Sequence, residues 1–167
     1  AEIKTIKELK DFDWAFNPQI PHALLLELAA ARFVPEHRGV LLLGPPGTGK
    51  TAFGRHLAQA LDRPLLVKRA SDILSPYVGM AERNIAHMFN EARMEGAVLL
   101  LDEADSLLRD RQGAQRSWEV TQVNEMLTQM EDFRGIFIAS TNLMDSLDVA
   151  AMRRFDARIR LGYLGAE

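Results

Sequence analysis

Gly44-Pro45-Pro46-Gly47-Thr48-Gly49-Lys50-Thr51 follows the apolar run Val40-Leu41-Leu42-Leu43 and leads into an amphipathic segment that starts at Ala52. Strand, glycine-rich turn and helix in that order make a phosphate cradle. The strand delivers the loop, the glycines let backbone N–H groups converge on phosphate oxygens, and the helix turns its positive end toward the same anion. Lys50 has the length to reach the β and γ phosphates, and the Thr51 hydroxyl suits a Mg²⁺ ligand. The competing reading is a chance glycine-rich turn, and at average composition such an octapeptide arises by accident with a probability on the order of one per cent. The flanking strand and helix lower that further, so the loop predicts a bound nucleoside triphosphate.

Working outward, 167 residues are enough for one domain with a real core, and 47% hydrophobic with 26% charged residues is ordinary globular composition. The net charge of -3, from 20 basic and 23 acidic residues, does not point to nucleic acid or an acidic membrane surface as the partner. The absence of cysteine excludes disulfides and thiolate zinc sites, and no stretch reaches the length of apolar chain a membrane span requires. Ala-Glu-Ile-Lys-Thr-Ile-Lys at the start lacks the apolar core of a signal peptide, which reads as a cytoplasmic protein. His22, His37, His56 and His87 show no metal-ligand spacing.

Residues 1–20, with Asp11-Phe12-Asp13-Trp14-Ala15-Phe16-Asn17-Pro18, read as an extended arm whose aromatic side chains pack on the domain. Leu24, Leu25, Leu28 and Ala31 predict a helix from Pro21 to about Phe33, and Pro35 and Gly39 break the chain before a first strand over 40–43. After the loop, Phe53, Leu57, Ala60 and Leu61 mark one face of a helix ended by Asp62-Arg63-Pro64; a second strand follows over 65–69. A helix from about Ala81 carries Ile85, Met88, Phe89 and Ala92 inward and stops at Gly96. Ala97-Val98-Leu99-Leu100-Leu101 is an unbroken apolar run, the pattern of a strand buried on both faces in a parallel sheet. Residues 110–116 read as an exposed polar loop, after which Ser117 caps a helix with Val120, Val123, Leu127 and Met130 inward. Strands over 135–139 and 157–161 complete the alternation. The expected architecture is a doubly wound parallel α/β sheet of five strands between two helix layers, with ligands at the carboxyl ends of the strands.

Asp102-Glu103 falls at such a carboxyl end. An aspartate there can hold the magnesium shell while the adjacent glutamate orients and deprotonates an attacking water, the division of labour that phosphoryl transfer to water needs. Acids capping the next helix start would look the same. Ser140-Thr141-Asn142 ends the fourth strand; Asn142 can place that water, or can cap the following segment.

Together with Val98-Leu99-Leu100-Leu101-Asp102-Glu103-Ala104-Asp105, the Ser-Thr-Asn strand end, and Leu147-Asp148 followed by Arg153-Arg154-Phe155-Asp156, the loop resembles the AAA clade of the AAA+ ATPases over about residues 40–164. The resemblance implies a P-loop NTPase sheet of order 5-1-4-3-2, ATP with Mg²⁺, hydrolysis to ADP and phosphate, and a ring, usually a hexamer, with ATP at subunit interfaces. Gly44, Pro45, Pro46, Gly47, Thr48, Gly49, Lys50 and Thr51 match Walker A, Asp102 and Glu103 match Walker B, and Asn142 matches sensor 1. Arg153 and Arg154 fall where the family places arginine fingers that act on a neighbour's γ phosphate. The two residues the family usually has between them are absent, so either arginine fits, and adjacent surface charges fit as well. Tyr77-Val78-Gly79 resembles the pore loop that grips a translocating polypeptide; a tyrosine packed on its own domain is the alternative, and Met80 stands where many relatives carry an acid.

Beyond Glu167 the family continues into a helical lid, so residues 39–167 are expected to be the nucleotide-binding core without it and 1–38 an arm and helix packed on that core. A core of this kind should hydrolyse ATP weakly as a monomer. Residues 5–50 resemble a different AAA+ branch, the transposition helpers and helicase loaders, a mosaic that fits a chimeric or designed chain and keeps a DNA-binding helper as the second functional reading beside a remodeller of protein substrates.

Overall fold

A computed structural model describes residues 38–162. The expected arm and first helix lie outside the described residues. Five parallel strands form one sheet: β1 (Arg38–Leu43), β2 (Leu65–Arg69), β3 (Val98–Asp102), β4 (Ile136–Thr141) and β5 (Ala157–Arg160), in the order β2-β3-β4-β1-β5. That is the order 5-1-4-3-2 read from the other edge. The connecting helices are α1 (Lys50–Ala60), α2 (Ala70–Ile73), α3 (Met80–Glu95), α4 (Ser117–Asp132) and α5 (Val149–Arg153).

Alternate residues of the central strands feed two separate cores, as the period of two in a strand requires. Leu41, Leu43, Leu99, Leu101, Phe137 and Ala139 pack on one face with the inward residues of α3 and α4. Val40, Leu42, Val98, Leu100, Ile136 and Ile138 pack on the other with Phe53, Leu57 and Ala58 of α1. Both faces are therefore apolar, which is why β1 and β3 lack any polar alternation in sequence. On the first face Phe89 meets Phe133 edge-on at 5.4 Å and Phe137 at 5.3 Å, tying α3 and the end of α4 to β4. On the second, α1 approaches β3 so closely that a Cβ on Gly54 would stand 3.1 Å from a Leu100 methyl.

The elements follow the sequence pattern, with differences at their ends. β1 starts at Arg38 and β4 runs on to Thr141, because strands persist while a parallel partner remains: Arg38 pairs with Ile136 and Leu43 with Thr141. The helix predicted from about Ala81 begins at Met80, behind Gly79 in the left-handed region (φ 80), and ends at Gly96 (φ 60). Ser117 does not cap α4. Arg116 occupies that position in extended conformation, and Glu119 in the first turn accepts from the Gln115 N–H at 3.0 Å instead. Val120 is only half-buried, and Met126 takes the central inward place. Residues 110–116 are not simply an exposed loop, because Arg111 turns back into the fold to pair with Asp148. No helix among the described residues is long and apolar enough to cross a membrane.

Leu100 is fully buried and faces the bare Gly54, which brings no side chain to fill a gap. Leu100→Ala should therefore lie in the upper part of the range for such truncations, about 3–5 kcal/mol less stable, read as a lower urea midpoint with an unchanged slope.

Candidate active site

The phosphate loop leaves β1 through a narrow gap between its two neighbours in the sheet. Gly44 donates its N–H to the Thr141 carbonyl of β4 at 3.1 Å, and a Cβ on it would fall 2.2 Å from the Leu161 carbonyl oxygen just past β5. No other residue fits without moving a strand. The Thr48 hydroxyl donates to the Pro45 carbonyl at 2.9 Å and closes the loop on itself. Gly49, in the left-handed region (φ 84), then starts α1. The Phe53 N–H, bonded to the Gly49 carbonyl at 2.9 Å, is the first of the helix to find an acceptor. The N–H groups of Gly47, Thr48, Gly49, Lys50, Thr51 and Ala52 have none among the described residues. Six consecutive unpaired donors at the positive end of an eleven-residue helix form an anion site.

Lys50 folds over this loop, its Nζ donating to the Gly44 carbonyl at 2.6 Å and the Pro45 carbonyl at 2.8 Å. Partial burial holds its pKa below the ordinary lysine value, while the Asp102 carboxylate pulls it back up. Asp102 ends β3. Its Oδ1 accepts from the Ser140 hydroxyl of β4 and from the Glu103 N–H at 3.1 Å, which leaves Oδ2 without a partner among the described residues. Glu103 is exposed, in the left-handed region at φ 57, an unusual conformation for a side chain of its size. It makes no capping bond to the short turn Ala104–Ser106, so the capping alternative is not the arrangement found. Asn142 is exposed at the end of β4 and does not cap the next segment either. Thr141 serves there, its hydroxyl accepting from the Leu143 N–H at 3.0 Å while donating to Asp105 at 2.8 Å.

The donor set fits Mg²⁺. A threonine hydroxyl in the first turn of α1 and the carboxylate of Asp102 are hard oxygen ligands, and magnesium is usually held by one or two carboxylates together with substrate phosphates. No cluster of three or more His, Cys, Asp or Glu suited to a metal occurs among the described residues.

Other candidates stand apart from the loop. Tyr77 and Val78, in the connection between α2 and α3, are 74% and 91% exposed, so Tyr77 does not pack on its own domain. The left-handed Gly79 (φ 80) turns the chain into α3 behind them. Arg153 and Arg154 differ sharply. Arg154 is tied within its own domain, donating to the Ala150 carbonyl at 3.0 Å and to Glu131 at 3.2 Å. Arg153 is exposed and lines an open groove of about 530 Å³ with Arg111, Gln112, Val120 and Asp148.

Sequence reasoning missed the pair behind that groove. Asp148, only 3% exposed, accepts from Arg111 Nε at 2.8 Å and from the Arg111 and Ala150 N–H groups at 3.2 Å and 2.9 Å. Burial pushes its carboxyl up, and these hydrogen bonds outweigh the burial, so its pKa lies below the ordinary 3.8. It also missed the role of Ser140, whose only signal is a hydroxyl, beside that of Thr141, at the end of an apolar run.

A parallel sheet with a phosphate loop after β1 and acids at the end of β3 defines a P-loop nucleotide-binding domain. Residues 40–163 match the family described as ATPase family associated with various cellular activities (AAA), and the chain belongs to that family. It is 38% identical over 132 residues to the ATP-dependent zinc metalloprotease FtsH 3 of Sphaerobacter thermophilus, an overlap of 74% of this chain and 27% of that protein. It is 32% identical over 168 residues to Protein CdcH of Halobacterium salinarum, covering 96% of this chain and 21% of that one. The crystal structure of the FIGL-1 AAA domain in complex with ADP superposes with a TM-score of 0.68 at 31% identity, covering 84% of this chain and 51% of that one. The chain thus spans about a quarter or less of these two curated relatives.

With a carboxyl pKa depressed in the fold, Asp148 contributes stability that is complete above pH 3.8 and is lost as pH falls through its lower folded value. The stability gap between the parent chain and Asp148→Asn, measured by urea unfolding, should be constant near neutral pH and shrink below that point.

Proposed function

We propose that this chain is the ATP-hydrolysing core of a ring assembly that remodels or translocates a protein substrate. The observation that carries the reading is the run of six unpaired N–H groups over Gly47–Ala52, with Lys50 and Asp102 beside it. The run binds the triphosphate of ATP, and Lys50 exchanges its two loop carbonyls for β and γ phosphate oxygens. Thr51 and Asp102 would hold Mg²⁺, which when bound neutralises charge on the β and γ oxygens. Glu103 takes the proton of the attacking water, and Asn142, one residue past the end of β4, orients that water. Arg153, exposed and without a partner among the described residues, supplies positive charge to the γ phosphate of a neighbouring copy, whereas Arg154 is engaged within its own subunit.

Similarity to relatives named as ATP-dependent proteases supports a protein substrate, and the exposed Tyr77-Val78 pair is the surface that would grip it. A tyrosine offers a large contact area for little lost side-chain freedom. Held apart from its neighbours, the domain lacks the arginine contributed in trans and turns over slowly.

Glu103→Gln should bind ATP with the parent affinity and lose about 10²–10⁴-fold in turnover, the usual weight of a general base. ATP affinity by titration calorimetry and phosphate release at saturating ATP separate the two effects; parental turnover in this variant would remove Glu103 from the mechanism.

A further inference from the structure

Arg111 sits in the turn after β3, and its guanidinium clasps a carboxylate 37 positions further along the chain. Nε donates to Asp148 Oδ2 at 2.8 Å and Nη2 to Oδ1 at 3.3 Å, a two-pronged grip that a lysine cannot reproduce. Its Nη1 donates to Asn124 on α4 at 2.8 Å. Asp148 is the residue from which α5 starts: its Oδ1 accepts the Ala150 N–H at 2.9 Å, and its own N–H donates to the Leu108 carbonyl at 2.8 Å. The Asp110 N–H to Ser146 carbonyl bond at 2.9 Å and the antiparallel bridge between Arg109 and Leu147 complete the seam.

The helix launched from this seam has five residues, and its inward anchor is the buried Ala151. Val149 on its outer side is 59% exposed, and Arg153 at its end is exposed too. At the far end the Arg154–Glu131 pair is largely exposed and contributes little, while Arg158 Nη2 donates to the Met152 carbonyl at 2.8 Å and the buried Phe155 holds the chain that follows. A helix of one turn takes its direction from the anchors at its two ends, so the direction in which Arg153 projects depends on the Asp148 end as well as on the Met152–Phe155 end.

We propose that Arg111 is a positioning residue for Arg153: by clasping Asp148 and bracing on Asn124, it fixes the start of α5 and with it the approach of Arg153 to a nucleotide held by a neighbouring copy. The inference rests on the reading of Arg153 as acting in trans. It also links the chain segment that follows Glu103 directly to the residue that serves the next site.

The test uses the full chain at concentrations where it assembles with ATP. In Arg111→Met, ADP affinity by calorimetry should stay within about twofold, while turnover at saturating ATP falls roughly 100-fold with KM unchanged, the scale expected when a group is displaced by about an ångström. Mixing Arg111→Met with Glu103→Gln chains should restore turnover, because Arg111→Met sites then face neighbours whose arginine is correctly held. A structural fault within the Arg111→Met site itself would not be rescued this way. The parallel mixture of Arg153→Ala with Glu103→Gln tests the trans reading alone. Rescue there without rescue of Arg111→Met overturns the positioning role and leaves the trans reading standing; rescue in neither overturns the trans reading and the positioning role with it. Should Arg111→Met lose its cooperative thermal transition, Asn124→Ala, which removes only the brace on Arg111 Nη1, carries the same mixing test with a smaller loss, and parental turnover in that variant overturns the proposal.

Discussion

Between the end of β1 and the start of the phosphate loop, the backbone at Gly44 passes through a space where a Cβ would lie 2.2 Å from the Leu161 carbonyl oxygen. The same residue donates its N–H to the Thr141 carbonyl. The loop is thus held on one side by the strand that ends in Thr141 and on the other by the chain that leaves β5. Asp102 is fastened into this arrangement through the Ser140 hydroxyl of β4. Every group assigned to the nucleotide is referred to the carboxyl ends of adjacent parallel strands, and a parallel sheet buried on both faces is rigid enough to keep them there.

The cost of this arrangement is a set of unpaired donors and a partly dehydrated cation. N–H groups of the first helical turn left without acceptors, and an ammonium held below its ordinary pKa by burial, both destabilise the empty domain. Both are relieved by one polyanion. The site is therefore built for its ligand before the ligand arrives, and binding should stabilise the fold by mass action.

Much of this was readable in the sequence because it is local. The octapeptide announces its own geometry, and Val98-Leu99-Leu100-Leu101 announces burial on both faces, which all four residues show. Gly96 stops α3 where the pattern said it would. What escaped depends on residues far apart in the chain. Arg111 lies in a stretch that reads as polar loop, and only its partner 37 residues away reveals it as structural. Adjacent arginines at 153 and 154 are indistinguishable by type, and become distinct when Glu131 and the Ala150 carbonyl claim one of them. Ser117 has the right side chain for a cap, but Glu119 reaches back to the Gln115 N–H and the helix starts a residue sooner. Tyr77 could have packed inward as easily as outward on composition alone; its exposure is a tertiary fact.

The proposed catalytic site is divided between copies, with Lys50, Asp102 and Glu103 on one and Arg153 on the next. ATP turnover per chain, measured against protein concentration beside the mass of the species present with ATP, tests this most directly. Turnover per chain should be low for the monomer and rise in step with assembly. A high turnover that does not change with concentration, from a species that remains a monomer, would contradict it.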